Sequence, residues 1–515
     1  MQYSIRFVAV GVMWAAALCG AGIPDARAQD IYWPTQGWRY SSPEAQGMDS
    51  EALADAFDYV REHDTPIHSL TIVRNGHVVL DAYFWPFQQG QSHDVASVTK
   101  SVTSTLAGIA IGKHQLELHQ PLTSVFEGQR IANLDERKRH LTIEHLLTMT
   151  SGLDCDASDG ETTLSQMRKR RDWSRFMLDL PMRDEPGSHF EYCSGGMHLL
   201  SAAISKATGQ SALDFARREL FGPLGIGDVA WPADGQGISF GWGDLHLEPL
   251  DMAKLGYLWL NNGRWEGRQL VPEEWMRAAT QAQSGPAHSD DKYGYGFWIQ
   301  PDRRPLLFEA NGRGGQRISV TAEKNVVVVF TGGTFEPGDI GTFILRAIKS
   351  DQPLPENLAA QARLAAAMKD AATPPHPVSF LPPLAKSISG KRYTVAENPL
   401  GLKSFVLAFP EAGGAQLQLE LGNRSDPPRP IGLEGIPRVS AGGNFGLPVA
   451  ISGRWENDRT FVVEYNEVGN INRFRFQMIF SGDAVDVALS ERSGVIPGSR
   501  FHGTSTQPVL PEIPN

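Results

Sequence analysis

Cysteine is scarce in this chain, three residues among 515, and one of them, Cys19, falls in a leader-like start. The other two, Cys155 and Cys193, cannot make a multi-bridge disulfide scaffold, and no further ligands stand near them for zinc. From their spacing alone, one bridge and two independent buried thiols are equal alternatives. Basic charge is also short. Lys and Arg number 47 against 58 Asp and Glu, a net charge of −11. That balance excludes the basic face nucleic acid requires and serves solubility instead. No block of like charge is long enough to form a tail. The run Arg168, Lys169, Arg170, Arg171 is brief and reads as a solvated face. Past the start of the chain no apolar stretch is long enough to span a bilayer, and there is no internal repeat or low-complexity tract.

What is present suffices for two domains: 41% hydrophobic and 20% charged residues over 515 positions. Residues 1–28 read as a secretory signal, with Arg6, an apolar stretch over 7–23, and Ala26-Arg27-Ala28 offering small residues where signal peptidase cuts. A membrane anchor is the plainer alternative. Leu18 before Cys19 argues against lipid attachment. The expectation is an exported protein, periplasmic or secreted, that begins near Gln29 and keeps no stable membrane span.

Residues 69–80 pattern as a β-hairpin around Asn75-Gly76, whose positive φ angles suit a two-residue turn. Residues 97–112 then place Val98, Val102, Leu106 and Ile109 at helical spacing, a helix buried on most sides. Further helices are expected over 143–149, 196–208, 211–220 and 341–349, and strands over 317–322 and 326–331. Strands at both ends of a long helical stretch imply an α/β (α+β) domain, one antiparallel sheet flanked by helices with a helical insertion, over 29–350. A Pro/Ala-rich linker follows at 351–385, with a helical piece over 357–372 and then Pro374-Pro375-His376-Pro377 and Pro382-Pro383. Beyond it the period becomes two, without error in 416–421 and 473–478. About eight such stretches imply an antiparallel barrel or sandwich over 386–515.

Ser97-Val98-Thr99-Lys100 is the strongest chemical signal. A serine hydroxyl is a weak nucleophile and needs a neighbour to take its proton. At i and i+3 on a helix the Ser97 oxygen and Lys100 amine share a face, and unpaired N–H groups at the helix start favour a developing oxyanion. The plainer alternative is an ordinary helix cap. Ser289-Asp290-Asp291-Lys292 has the same spacing but lies in a polar, acidic loop. Gly237-Ile238-Ser239-Phe240-Gly241 imitates a nucleophile elbow, yet lacks the preceding strand and the following helix. Tyr192-Cys193-Ser194-Gly195-Gly196 stands at a loop-to-helix entrance, and Asn311-Gly312-Arg313-Gly314-Gly315-Gln316 leads into a strand. Taken singly, these are a packing aromatic and a turn.

In this order and at these separations the three stretches resemble the serine β-lactamase and penicillin-recognising family. Its hallmarks are Ser-x-x-Lys, Tyr-x-Asn or a variant, and Lys/His-Thr/Ser-Gly on an edge strand. The resemblance covers roughly residues 40–350 and includes 141–153, which is similar to that family's Arg-His-Leu-Leu-Thr-His-Thr-Ser-Gly-Leu stretch. It implies Ser97 as the acylated nucleophile, Lys100 and Tyr192 as the proton-transfer pair with Tyr192 the general base, and the N–H groups of Ser97 and Gln316 as oxyanion hole. Ser194, Arg313, Gly314 and Gly315 become substrate-binding positions, and neither cofactor nor metal is implied.

The departures narrow the activity. Ser194 stands where penicillin-hydrolysing members often carry Asn, and Arg313 replaces Lys or His, keeping a charge able to clamp a carboxylate. Tyr-Cys-Ser is similar to the 6-aminohexanoate-oligomer hydrolases and related esterases. The resemblance therefore implies hydrolysis of small amides or esters. A D-amino-acid peptidase or β-lactamase is the alternative within the same chemistry, and a catalytically silent binding or sensor protein is the alternative outside it. It also places the loop before Cys155 at the border of the active site, close enough for Cys155 and Cys193 to bridge. Gly241, Trp242, Tyr293, Tyr295 and Trp298 are candidate cleft residues, with core packing as their plainer role. The β domain resembles the lipocalin-like modules appended to some members.

Overall fold

The computed structural model describes residues 32–227, 229–374, 381–410, 414–422, 424–433 and 435–506. The expected leader, with Cys19 and the Ala26–Ala28 cleavage site, lies outside them, as do Pro375, His376 and Pro377 of the linker. Asn75 and Gly76 both adopt positive φ, 51° and 75°, and join strands Ile67–Arg74 and His77–Tyr83. This hairpin enters an eight-stranded sheet beside Val326–Gly332, Gln316–Thr321 and Leu307–Gly312, so the two termini of the domain do build one sheet. Pairing is antiparallel except at one edge, where Arg39–Tyr40 runs parallel to His77–Tyr83.

Val326–Gly332 is buried along its whole length because helices cover both faces of the sheet. On one side, helices Ser50–Glu62 and Pro337–Ala347 contribute Leu53, Phe57 and Ile344 against Ile72, Leu80 and Val328. On the other, helix Pro249–Leu260 approaches closely at Gly256, where a Cβ would lie 2.4 Å from Val327. The helical insertion centres on helix Ser194–Thr208, packed against Val98–Gly112, Ile143–Leu147 and Trp173–Asp179.

The stretch expected to begin a linker behaves differently. Helix Leu358–Ala371 docks on helix Ser50–Glu62, burying Ala360 and Leu364 while Arg363 pairs with Glu51, Asp55 and Asp58. The first domain therefore continues past residue 350. Its alanine-rich sequence gave helix propensity but no hint of a partner, which lies some 300 residues earlier in the chain.

The C-terminal domain is a single curled sheet of eleven strands. Eight are long enough to show alternation. Arg424–Ser425, Arg429–Ile431 and Arg438–Ser440 are too short to register as a pattern. Arg429–Ile431 pairs with Ala415–Leu421 while the adjacent Gly432 bridges Ser452, so the curl brings distant strands together in a barrel-like form rather than a sandwich. Its core includes Phe405, Leu407, Phe461, Phe480 and Val487. No helix among the described residues is long and apolar enough to cross a membrane.

Candidate active site

Helix Val98–Gly112 begins directly after Ser97, whose side chain makes no capping bond. Its hydroxyl accepts a hydrogen bond from Lys100 Nζ at 2.8 Å instead. Lys100 is buried, and its second bond runs to the Trp242 carbonyl at 3.0 Å. The same nitrogen lies 4.7 Å from the centre of the Tyr192 ring. One hydroxyl and one amine from a single helix start thus meet the ring of Tyr192 from a distant loop.

The turn that presents Ser97 is held from several sides. Ala96 has a φ of 46°, a left-handed conformation that costs on the order of 1 kcal/mol or more in a residue other than glycine. Asp94 Oδ1 accepts the Ala96 N–H at 2.8 Å, the Val95 N–H donates to the Leu245 carbonyl at 2.8 Å, and Thr99 Oγ1 donates to the Ala96 carbonyl at 2.6 Å. Burial pushes the Asp94 carboxyl up to about 7, reinforced by the charge of Asp244 and opposed by the Ala96 N–H and Arg313.

Tyr192 comes from the loop entering helix Ser194–Thr208. Its ring stacks on Trp298, centroids 6.0 Å apart, and meets the edge of Tyr293. The next residue, Cys193, is disulfide-bonded to Cys155, which ties the Tyr192 loop to the end of the 141–153 stretch. Gln316 opens its strand opposite Gly312, where a Cβ would lie 2.5 Å from the Val95 carbonyl oxygen and 3.2 Å from Ala96 Cβ. The strand end therefore abuts the turn before Ser97. The Gln316 side chain is buried and bonded twice to the Gly332 backbone.

Four expected substrate contacts have other neighbours. Ser194 is buried, its hydroxyl donating to Glu161 Oε1 at 2.8 Å and its N–H to Oε2 at 3.2 Å, because a short side chain at this helix start finds a carboxylate beneath it. Arg313 does not stand free to clamp a carboxylate: its guanidinium donates to Ser493 Oγ and Asn472 Oδ1 of the C-terminal domain. Gly314 and Gly315 have φ of 88° and 92°, and a Cβ on either would lie 2.5 Å from Ile471 or the Phe335 ring. These glycines serve close packing, and the space over them is filled by protein.

Both imitations fail in structure. Ser239 is buried, with its hydroxyl accepting the Leu213 N–H, and Lys292 Nζ donates to the Ser289 carbonyl rather than its hydroxyl. Of the aromatic cleft candidates, Tyr293 and Trp298 pack on Tyr192, whereas Tyr295 donates to Glu144 Oε1 at 2.8 Å. Sequence reasoning missed the Trp242 carbonyl, Glu161, Asp94 and the buried pair of His198 Nε2 with Asp234 Oδ2 at 3.1 Å, whose imidazole packs on Trp242. A main-chain acceptor and partners distant in sequence carry no local signature. Among the described residues no group of three His, Cys, Asp or Glu is arranged to hold a metal ion.

The Beta-lactamase family model matches residues 45–349. The 6-aminohexanoate-dimer hydrolase of Paenarthrobacter ureafaciens is 22% identical over 252 residues, 46% of this chain and 63% of that protein. Penicillin-binding protein 4 of Amycolatopsis lactamdurans is 33% identical over 133 residues, 25% of this chain and 33% of its own length. The chain thus spans less than two-thirds of either relative. Among solved structures, EstCE1, a hydrolase with promiscuous acyltransferase activity, is alike in fold, with a TM-score of 0.50 at 16% identity over 58% of this chain and 99% of its own. The family match takes in the sheet, the helical insertion and all three stretches that meet at Ser97, and on that ground the chain belongs to the beta-lactamase family and has its hydrolase fold.

Proposed function

We propose that this protein is an exported serine hydrolase that cleaves small amides or esters through an acyl-enzyme on Ser97. The observation that carries the reading is the single nitrogen of Lys100, 2.8 Å from Ser97 Oγ and 4.7 Å from the Tyr192 ring centre. With Lys100 donating to both Ser97 and the Trp242 carbonyl, Tyr192, acting as its phenolate, is the group left to accept the Ser97 proton and become the neutral phenol. Ser97 Oγ then attacks the substrate carbonyl carbon. The resulting oxyanion is stabilised by the N–H groups of Ser97 and Gln316, and Tyr192 returns the proton to the departing amine or alcohol. Water enters by the same route and releases the acid.

The names of the hydrolase relatives support a small acyl substrate. Arg313, committed to Ser493 and Asn472, supports one that needs no carboxylate clamp. Ser194 in place of Asn supports β-lactams as poor substrates. The disulfide supports export to an oxidising compartment. A fluorophosphonate probe tests the reading: the wild-type chain is labelled and Ser97→Ala is not, while a short ester or an aminohexanoate dimer is turned over faster than a cephalosporin or a D-alanyl peptide. Absence of labelling in both proteins would instead support a silent binding protein.

A further inference from the structure

Helix Val98–Gly112 buries polar side chains as well as apolar ones. Thr99, Lys100, Ser101, Thr103, Ser104 and Thr105 are each at most 1% exposed, so every hydroxyl and the amine need an acceptor. Two chain segments packed along the helix supply most of them. Ser101 Oγ donates to the Gly296 carbonyl at 2.6 Å, and Ser104 Oγ to the Tyr295 carbonyl at 2.5 Å. Lys100 Nζ donates to the Trp242 carbonyl at 3.0 Å, and Thr103 Oγ1 to the Gly241 carbonyl at 2.9 Å. In each pair the donors stand at i and i+3 on one helix face and meet two consecutive carbonyls.

Residues 240–242 lie in no helix or strand, so no sheet ladder satisfies their backbone. Side chains do so instead. Four successive carbonyls each accept from one: Ser239 from Ser201 Oγ at 2.7 Å, Phe240 from Trp231 Nε1 at 2.8 Å, Gly241 from Thr103, and Trp242 from Lys100. At Gly241 a Cβ would lie 2.1 Å from the Met197 carbonyl oxygen of helix Ser194–Thr208, so only glycine lets the segment pass between the two helices. A threonine inside a helix ordinarily returns its hydroxyl to a carbonyl one turn back. Thr105 does this, bonding the Ser101 carbonyl at 2.7 Å. Thr103 bonds across to Gly241 instead, one peptide away from the carbonyl that accepts from Lys100. Glycine peptides turn easily, and with Gly241 unheld the Trp242 carbonyl is free to rotate and draw the amine with it. With Gly241 held, Lys100 Nζ keeps its place 2.8 Å from Ser97 Oγ and 4.7 Å from the Tyr192 ring centre.

We propose that Thr103 is a positioning residue for the chemistry at Ser97. Its hydroxyl fixes the Gly241 carbonyl, the adjacent Trp242 carbonyl is thereby fixed as the second acceptor of Lys100, and the amine is aimed at Ser97. Thr103 touches neither Ser97 nor substrate and acts only through this backbone segment. The inference rests on the acyl-enzyme reading above and adds to it the residue that sets the direction of Lys100. Misalignment of a reacting group by a fraction of an ångström to an ångström is costly in rate, which is why a buried hydroxyl one turn beyond Lys100 matters to turnover.

The test reads turnover of a short chromogenic ester, the rate of fluorophosphonate labelling and the melting temperature, all on the full-length chain. Thr103→Val keeps the shape of the side chain and removes the hydroxyl. Its kcat and labelling rate should fall together by about ten- to a hundredfold, with KM kept within about twofold because no substrate contact is lost. Thr103→Ser restores the donor and should recover kcat to within about threefold of wild type. Thr105→Val is the matched control: the same exchange on the same helix at equal burial, at a hydroxyl that bonds the Ser101 carbonyl and the Trp259 indole rather than residues 239–242. It should melt about as low as Thr103→Val yet keep kcat within about twofold. Should Thr103→Val not fold, Thr103→Ala, which sets no methyl against the Gly241 carbonyl, takes its place. Turnover within about twofold of wild type in the variant lacking the hydroxyl, no recovery in Thr103→Ser, or an equal loss in Thr105→Val overturns the proposal. Ser97→Ala, run alongside, separates the two readings. Full turnover there would overturn the acyl-enzyme reading and the inference with it, whereas an inactive Ser97→Ala beside a fully active Thr103→Val overturns the positioning role alone.

Discussion

Lys100 is held by two oxygen acceptors and the face of an aromatic ring, an arrangement that offsets the cost of burying a cation without a carboxylate partner. Tyr192 separates structure from chemistry in the same cluster. Tyr192→Phe keeps the ring stacked on Trp298 and removes only the phenol oxygen. Turnover of a short chromogenic ester should fall about 10²–10⁴-fold with the melting temperature unchanged; retention of activity would remove Tyr192 from proton transfer. Three buried titratable groups beside the turn that precedes Ser97 set a pH dependence of stability. His68 and His93, bonded at 2.9 Å, are kept neutral by burial, His68 with a pKa of about 3 and His93 well below 6.5. Their folded values lie below the unfolded one, so stability is lost as pH falls from 6.5 toward 3. Asp94, raised to about 7, acts oppositely: its contribution is complete at low pH and is lost as pH rises through 7. Two imidazoles outweigh one carboxyl on the acid side. The melting temperature should peak near pH 6.5 and drop by pH 4.5, and Asp94→Asn should steepen that acid-side drop.

Elements whose signals are local were legible. The Asn75-Gly76 turn, the buried helix after Ser97 and the alternating strands of the C-terminal domain lie where pattern places them, because turn angles and burial periodicity act over a few residues. Boundaries were less so. Helix Pro337–Ala347 starts four residues before the expected 341, set by the Glu336 side chain accepting the Gly338 N–H and by Pro337 in the first turn. The expected helix over 211–220 is present and runs on to Leu224, from Ala212–Ala216 through a wider π turn, Arg217–Phe221, into Gly222–Leu224. The Cys155–Cys193 bridge joins two elements across 38 residues, and its loss should cost about 2–4 kcal/mol. Cys193 follows Tyr192 directly, so Cys193→Ser should lower both the melting temperature and kcat, the first read by calorimetry and the second by ester hydrolysis. A change in stability alone would show that the Tyr192 loop holds its place without the bridge.

At the scale of the whole molecule, the C-terminal domain reaches the turn that precedes Ser97. The Asp94 N–H donates to the Gly469 carbonyl at 2.6 Å, Ile471 seats on Gly314, and Phe87 shares a small core with Ala450 and Val468. Gly469 has a φ of 91°, and a Cβ there would lie 2.2 Å from the Ser92 carbonyl oxygen. Gly469→Val should therefore loosen the docking by about 1–3 kcal/mol or more and depress turnover. Limited proteolysis should release the C-terminal domain faster than from wild type, and equal cleavage rates would show the contact to be dispensable. Arg313, Gly314 and Gly315 were expected to meet substrate because their pattern resembles the third motif of the penicillin-recognising family. The C-terminal domain takes Arg313 and covers Gly314 with Ile471, and Phe335 of the first domain covers Gly315.

The sequence by itself determined the two-domain plan, the hairpin and strand alternation, and the spacing that puts Ser97 and Lys100 on one helix face, since each depends on neighbours within a turn or a strand. Only the tertiary structure decided that Trp242 supplies Lys100 with its second acceptor, that Ser194 belongs to Glu161, and that the C-terminal domain takes Arg313. Those contacts join residues tens to hundreds of positions apart. Which partner wins there is settled by packing and by the need of every buried charge and hydroxyl for a counterpart, and no local pattern records that outcome.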